Sequence, residues 1–152
     1  MMSSFSIGGH SIGAEHPCFI IAEAGVNHNG DMEMARQLID AASGAGADAV
    51  KFQTFQAEKL ATQTAPKARY QLQTTSGEES QYEMLRRLEL SEAQHRELIA
   101  HCAQKGIQFL STPFEEESAD LLDRLGVAAL NCPREKSRIC RFCPTSRRKR
   151  NR

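Results

Sequence analysis

Three observations on the sequence predict an α/β fold built on a parallel sheet. Cys18–Glu23 (CFIIAE) is an unbroken apolar, β-prone run that ends on a carboxylate and enters a polar loop of Gly25, Asn27, His28, Asn29 and Gly30. Strand and helix patterns then alternate three times before a last short strand begins. Polar residues close the three complete strands: Glu23, Lys51 with Gln53, and Ser111 with Thr112. An apolar run of this length reads as a strand buried on both faces, as in sheets covered by helices. Repeated strand–helix order implies parallel pairing with right-handed crossovers. Polar strand ends in register point to a common site at the C-terminal face, where such folds carry their chemistry. Open doubly wound sheets and (β/α)8 barrels share this pattern. No G-x-G-x-x-G follows the first strand, which weighs against a dinucleotide fold.

The elements follow in order. Phe5 to Ile12 alternates around Gly8-Gly9 and predicts a hairpin that could plug one end of a barrel. After the opening strand, Asp31 is a good N-cap, and Met34, Ala35, Leu38, Ile39 and Ala42 recur at helical spacing until Gly44 and Gly46. Ala47–Thr54 is a second strand, with Lys51 and Gln53 on one face and Val50 and Phe52 on the other. AEKL suggests a helical turn, and Pro66 to Gly77 reads as a long functional loop. Ser80–Leu90 is a short helix, and Ser91 with Gln94 forms a capping box for another that Gly106 closes. Ile107–Thr112 is a third strand and Glu115–Leu125 a third helix with acids in its first turn. Val127–Leu130 starts a fourth strand.

Composition narrows the class. No apolar run approaches the roughly 18 residues that span a membrane. The N-terminus lacks a basic region followed by an apolar core, so a cytoplasmic protein with reduced cysteines is expected. The net charge of zero conceals an asymmetry: residues 131–152 hold nine of the 19 basic residues but a single acid, Glu135. They also hold three of the five cysteines. Such a break marks a segment of different origin or role.

On the candidate face, Lys51 lies within an apolar strand and should meet an anion or lose its proton. An ion pair with Glu23 would also satisfy it. Thr112 offers a hydroxyl just before a helix, a seat for phosphate or carboxylate. Gln53 both donates and accepts, which suits sugar hydroxyls. An anionic, oxygen-rich small substrate uses all of these groups.

The segments IIAEAGVNHNGD, GADAVKFQTF, APKARYQ, QYEMLRRLELS and GIQFLSTPFEEES resemble the sialic acid synthase family over about residues 5–130. Gly-Val-Asn-His after the first Glu matches the N-acetylneuraminate and legionaminate branch, since pseudaminic acid synthases carry Ser-Gly-Asn-His. The resemblance implies a (β/α)8 TIM barrel, incomplete here: an N-terminal hairpin, about three βα units and the start of a fourth strand. It implies condensation of phosphoenolpyruvate with an N-acylated amino-hexose, such as N-acetylmannosamine, to a nonulosonic acid and phosphate, in cell-surface carbohydrate biosynthesis. Glu23 would line the site near sugar and metal, Lys51 would bind phosphoenolpyruvate, Gln53 the amino sugar, and Thr112 the phosphate. Asn27 and His28 stand in the matching loop as candidate site residues. A divalent metal, manganese or magnesium, is implied for the intact family enzyme, held by two late histidines that the five His of this chain do not match. A homodimer is implied as well; membrane and nucleic-acid partners are not expected.

The family pattern breaks after Leu130. The family continues with Lys and then Ser-Gly-Glu, whereas this chain reads Asn131-Cys132-Pro133-Arg134. Reading one base back from the Cys132 codon, allowed codons spell Leu-Pro-Ser-Gly-Glu-Ile-Thr-Asn-Leu-Pro, the expected continuation. One base lost from a Lys codon accounts for Asn131-Cys132. Residues 1–130 are therefore expected to form the N-terminal half of the barrel, and 131–152 a frameshifted, disordered tail. Cys140-x-x-Cys143 with Cys132, and Arg147-Arg148-Lys149-Arg150, then become accidents of frame. The competing reading is a non-catalytic fragment whose basic, Cys-containing tail binds zinc or nucleic acid. On the frameshift reading the 152-residue chain is expected to be inactive alone.

Overall fold

The structure is a computed structural model that describes residues 5–61 and 80–131. The expected loop at Pro66 to Gly77 and the tail beyond Asn131 lie outside the described residues. The chain opens with an antiparallel hairpin of β1 (Phe5–Ile7) and β2 (His10–Ile12). Gly8 and Gly9 turn it at φ 54° and 88°, the left-handed pair that a tight hairpin of this twist requires. The tip rests on the start of the main sheet. Gln108 Nε2 donates to the Gly8 carbonyl at 3.4 Å, and a Cβ at Gly8 would come within 2.4 Å of the same side chain.

The main sheet is parallel, in the order β3 (Ile21–Gly25), β4 (Ala49–Thr54), β5 (Gln108–Pro113). Helix α1 (Met32–Gly44) links β3 to β4. Between β4 and β5 come α2 (Ala57–Leu60), α3 (Gln81–Leu88) and α4 (Glu92–Lys105). Helix α5 (Glu116–Arg124) follows β5. The predicted fourth strand contributes a single parallel bridge, Ser111 to Leu130, reinforced by Asn131 N donating to the Ser111 carbonyl at 3.2 Å. Among the described residues, each strand of the main sheet is thus followed by helix.

The opening strand differs from expectation. It begins at Ile21 rather than Cys18 and is not buried on both faces: Ile20 is 54% and Ile21 44% exposed. Ile21 and Glu23 alternate onto the face away from the helices, while Ala22 and Ala24 join the core. That core lies between Val50, Phe52 and Phe109 of the sheet and Ala35, Ile39, Leu98, Cys102 and Leu122 of α1, α4 and α5. Met34, expected in the α1 stripe, is exposed. The third helix is one residue shorter at each end than expected, with Glu115 as its N-cap.

Local signals set the helix ends. Asp31 accepts from Glu33 N and Met34 N at 2.7 and 3.3 Å. Ser91 and Gln94 bond each other's backbone N–H at 2.8 and 3.3 Å, and Gly106 ends α4 at φ 69°. Replacing Ser91 with Ala should cost about 1 kcal/mol of stability, read as a lower urea midpoint. An unchanged midpoint would mean that this cap is not formed in solution.

Candidate functional site

Strand alternation gathers the expected residues on the face opposite the helices. Glu23 pairs in register with Lys51, Lys51 with Leu110, and Gln53 with Thr112. Lys51 Nζ lies 2.9 Å from Glu23 Oε2, with the lysine side chain 19% and the glutamate 56% exposed. The strand-bound ammonium has therefore found its counter-charge in the neighbouring carboxylate. That carboxylate stays hydrated, so the partnership is exchangeable. A register shift between Glu23 and Gly25, with Gly25 at φ 54°, bends β3 at its end. A Cβ at Gly25 would sit 3.5 Å from Glu23 Oε1 and 3.7 Å from Gln53 Nε2. Both polar groups thus flank this glycine.

Thr112 is nearly buried, and its Oγ1 accepts from Asn131 Nδ2 at 3.1 Å. Asn131, the first residue of the segment expected to be disordered, is therefore held at the edge of the candidate site. Ser111, grouped with Thr112 from sequence, points the other way: its Oγ lies 2.6 Å from Thr54 Oγ1. Adjacent strand residues face opposite sides, so only one of the two hydroxyls can reach the site.

The loop after β3 places its two candidates apart. Asn27 is exposed, its N–H closing a turn on the Ala24 carbonyl at 3.0 Å. His28 is fully buried beside the Phe52 ring, on the helix side of the sheet, and its Nδ1 accepts from Gly30 N at 3.0 Å. The sequence did not single out His95, which is also fully buried and bonds Thr54 at 2.8 Å. Its position on the buried stripe of α4, with Leu98 and Cys102, was the available signal.

Burial holds both histidines below their ordinary pKa; the proximity of His95 adds to this at His28, and the Ser91 carbonyl opposes it at His95. Burial pushes the Cys102 thiol up to about 12, so it remains protonated and unreactive. Well above the unfolded histidine value of 6.5 both rings are neutral in the folded and unfolded chain, and they add no pH dependence there. Below it the unfolded chain takes up protons that the folded chain refuses. Stability should therefore fall as pH drops from about 7.5 to about 5.5, measured by urea unfolding. Equal midpoints would contradict neutral buried rings.

Among the described residues no group of three or more His, Cys, Asp or Glu could hold a metal ion. Two clefts of about 430 and 400 Å³ open beside the loop after β4, sharing Gln56, Glu89 and Ser91. Neither is lined by Glu23, Lys51, Gln53 or Thr112. No described helix is long and apolar enough to cross a membrane.

Residues 38–137 match the NeuB family. The chain belongs to the NeuB family. Its NeuB relatives include the N,N'-diacetyllegionaminic acid synthase of Legionella pneumophila, 52% identical over 80% of this chain and 34% of that protein. The Campylobacter jejuni enzyme of the same name is 53% identical over 75% of this chain and 34% of its own length. The chain thus spans about a third of the curated relatives it matches. Among solved structures, N-acetylneuraminic acid synthetase from Leptospira borgpetersenii superposes with a TM-score of 0.68 at 31% identity. That match covers 86% of this chain and 41% of the other. The parallel sheet with flanking helices is accordingly the NeuB fold over its N-terminal part. The sialic acid synthase resemblance read from the motifs is a family membership.

Proposed function

We propose that this chain is the N-terminal part of a phosphoenolpyruvate-dependent nonulosonic acid synthase of cell-surface carbohydrate biosynthesis, acting in the cytoplasm. The observation that carries the reading is the exchangeable Lys51–Glu23 pair at 2.9 Å, with Gln53 and Thr112 on the same face. Lys51 would turn from Glu23 to the anionic oxygens of phosphoenolpyruvate, a stronger partner than a hydrated carboxylate. Thr112 would donate its hydroxyl to the phosphate. Glu23, released, would accept from a hydroxyl of the amino sugar, and Gln53 would bond another polar group of that sugar. Held so, C3 of phosphoenolpyruvate forms a carbon–carbon bond with the sugar's carbonyl carbon, water is taken up, and phosphate leaves. Positioning of the two reactants is what these side chains contribute. N-Acetylmannosamine or a related N-acylated amino-hexose is the acceptor, and the intact enzyme is a homodimer.

We further propose that the reading frame shifts at residue 131. The codon argument supports this: a single lost base converts the expected Lys-Leu-Pro-Ser-Gly-Glu into Asn131-Cys132-Pro133-Arg134-Glu135-Lys136. The family match in the frame as read runs to Ser137, seven residues beyond Leu130, and lends the shift no support of its own. DNA downstream of codon 130 should remain open in the shifted frame and encode further strand–helix units. An early stop there would refute the frameshift.

A polypeptide of these 152 residues should bind phosphoenolpyruvate, seen as chemical-shift changes at Lys51 and Thr112, yet release no phosphate with N-acetylmannosamine. Exposed Ile20 and Ile21 and an edge of β3 that no strand pairs among the described residues also predict self-association. Turnover by the purified chain would overturn the inactivity. Absence of any shift at Lys51 would overturn the site.

A further inference from the structure

Directly behind the candidate face, three buried side chains form a continuous hydrogen-bonded relay. Thr54 Oγ1 lies 2.8 Å from His95 Nε2 and 2.6 Å from Ser111 Oγ, and His95 Nδ1 lies 2.9 Å from the Ser91 carbonyl. Thr54, His95 and Ser111 are each no more than 2% exposed. A carbonyl oxygen only accepts, so Nδ1 carries a proton. Burial keeps the ring neutral, which leaves Nε2 a bare acceptor. Thr54 must then donate to His95, and Ser111 must donate to Thr54. Every step has one allowed direction, from Ser111 through Thr54 and His95 to the first turn of α4.

The relay grips the sheet at the residues next to the site. Thr54 follows Gln53 and Ser111 precedes Thr112, while Gln53 and Thr112 are register partners. The Thr54 carbonyl accepts from Phe114 N at 3.0 Å, and the Ser111 carbonyl from Asn131 N at 3.2 Å. Two adjacent pairs of strand residues, Gln53–Thr54 on β4 and Ser111–Thr112 on β5, therefore meet where the relay's two hydroxyls join the strands. A one-residue slip between β4 and β5 would carry Thr112 to the helix side.

We propose that His95 is a positioning residue: through Thr54 and Ser111 it locks the ends of β4 and β5 in the register that sets Gln53 beside Thr112. The consequence for ligand binding rests on the proposed function, but the register lock does not. An apolar contact of the same shape could hold the strands together; it could not impose a proton direction.

Nitrogen-15 NMR of the 152-residue chain near neutral pH should find His95 neutral and protonated at Nδ1. The Nε2-protonated tautomer overturns the proposal. Thr54→Val keeps the shape and removes the relay, whereas Thr54→Ser keeps the hydroxyl. In the valine variant, amide exchange at Phe114 and Asn131 should accelerate about tenfold and phosphoenolpyruvate affinity fall about tenfold. The serine variant should restore both. Exchange at Ala45 N, which bonds Ala41 far from the relay, should not change and so reports any global loosening. If Thr54→Val fails to fold, Ser111→Ala removes the outermost donor alone and should give the same pattern. Wild-type exchange and affinity in the folded valine or alanine variant overturn the register lock. If the tautomer and the variants' exchange pattern are found but the unaltered chain binds no phosphoenolpyruvate, the proposed function is refuted and the lock stands.

Discussion

Replacing Lys51 with Met should lower phosphoenolpyruvate affinity by about 10- to 100-fold, since a charge-assisted contact contributes about 1.5–3 kcal/mol. Methionine keeps the length and apolar stem that β4 packs while removing the ammonium. Glu23 loses its partner but is half-exposed and stays hydrated, so thermal stability should change little. Glu23→Gln separates the two roles. It frees Lys51 from competition, so phosphoenolpyruvate should bind at least as well as to the unaltered chain, while an amino sugar should bind less well. Calorimetric titration of the purified variants reads both effects. Undiminished affinity in Lys51→Met would remove the lysine from the site and, with it, the main support for the proposed chemistry.

Phe52→Ala should destabilise the fold by about 3–5 kcal/mol. Small domains hold only about 5–15 kcal/mol in total, so this one change removes a large share of the stability. Phe52 is fully buried, stacks on Phe109 at 5.5 Å and 13°, and meets the His28 ring at 6.1 Å. It also lies between Lys51 and Gln53, so its loss would loosen the strand that presents both. Phe52→Leu fills most of the space and should cost about 1–2 kcal/mol. Urea unfolding followed by circular dichroism compares the two. A loss below about 1 kcal/mol in the alanine variant would mean that the core does not close on this ring.

Much of the frame was legible because it depends on neighbours in sequence. Asp31 and Ser91 cap helices through bonds to residues two or three positions away, and Gly8-Gly9 turns a hairpin through its own backbone freedom. Alternation within β4 separated Lys51 and Gln53 from Val50 and Phe52 before any partner strand was known. The Lys51–Glu23 pair was foreseeable too, since a strand ammonium needs an anion and the preceding strand ends in one.

What stayed hidden involves faces and partners set at long range. Cys18–Glu23 is more exposed than its apolar run suggests, because such a run does not state which of its faces a helix will cover. His28 looked like a loop residue, but the turn from Ala24 to Asp31 folds it under the sheet against Phe52. Sequence alone determined the alternation of strands and helices, their caps, and the polar character of the strand ends, all of which follow from local backbone chemistry. Only the tertiary structure decided that Thr112 faces the site while Ser111 faces Thr54, and that Thr54 joins a histidine 41 residues away. The physical reason is that a strand repeats every second residue. Its pattern divides side chains into two sets, but only packing against the next strand and helix says which set is which.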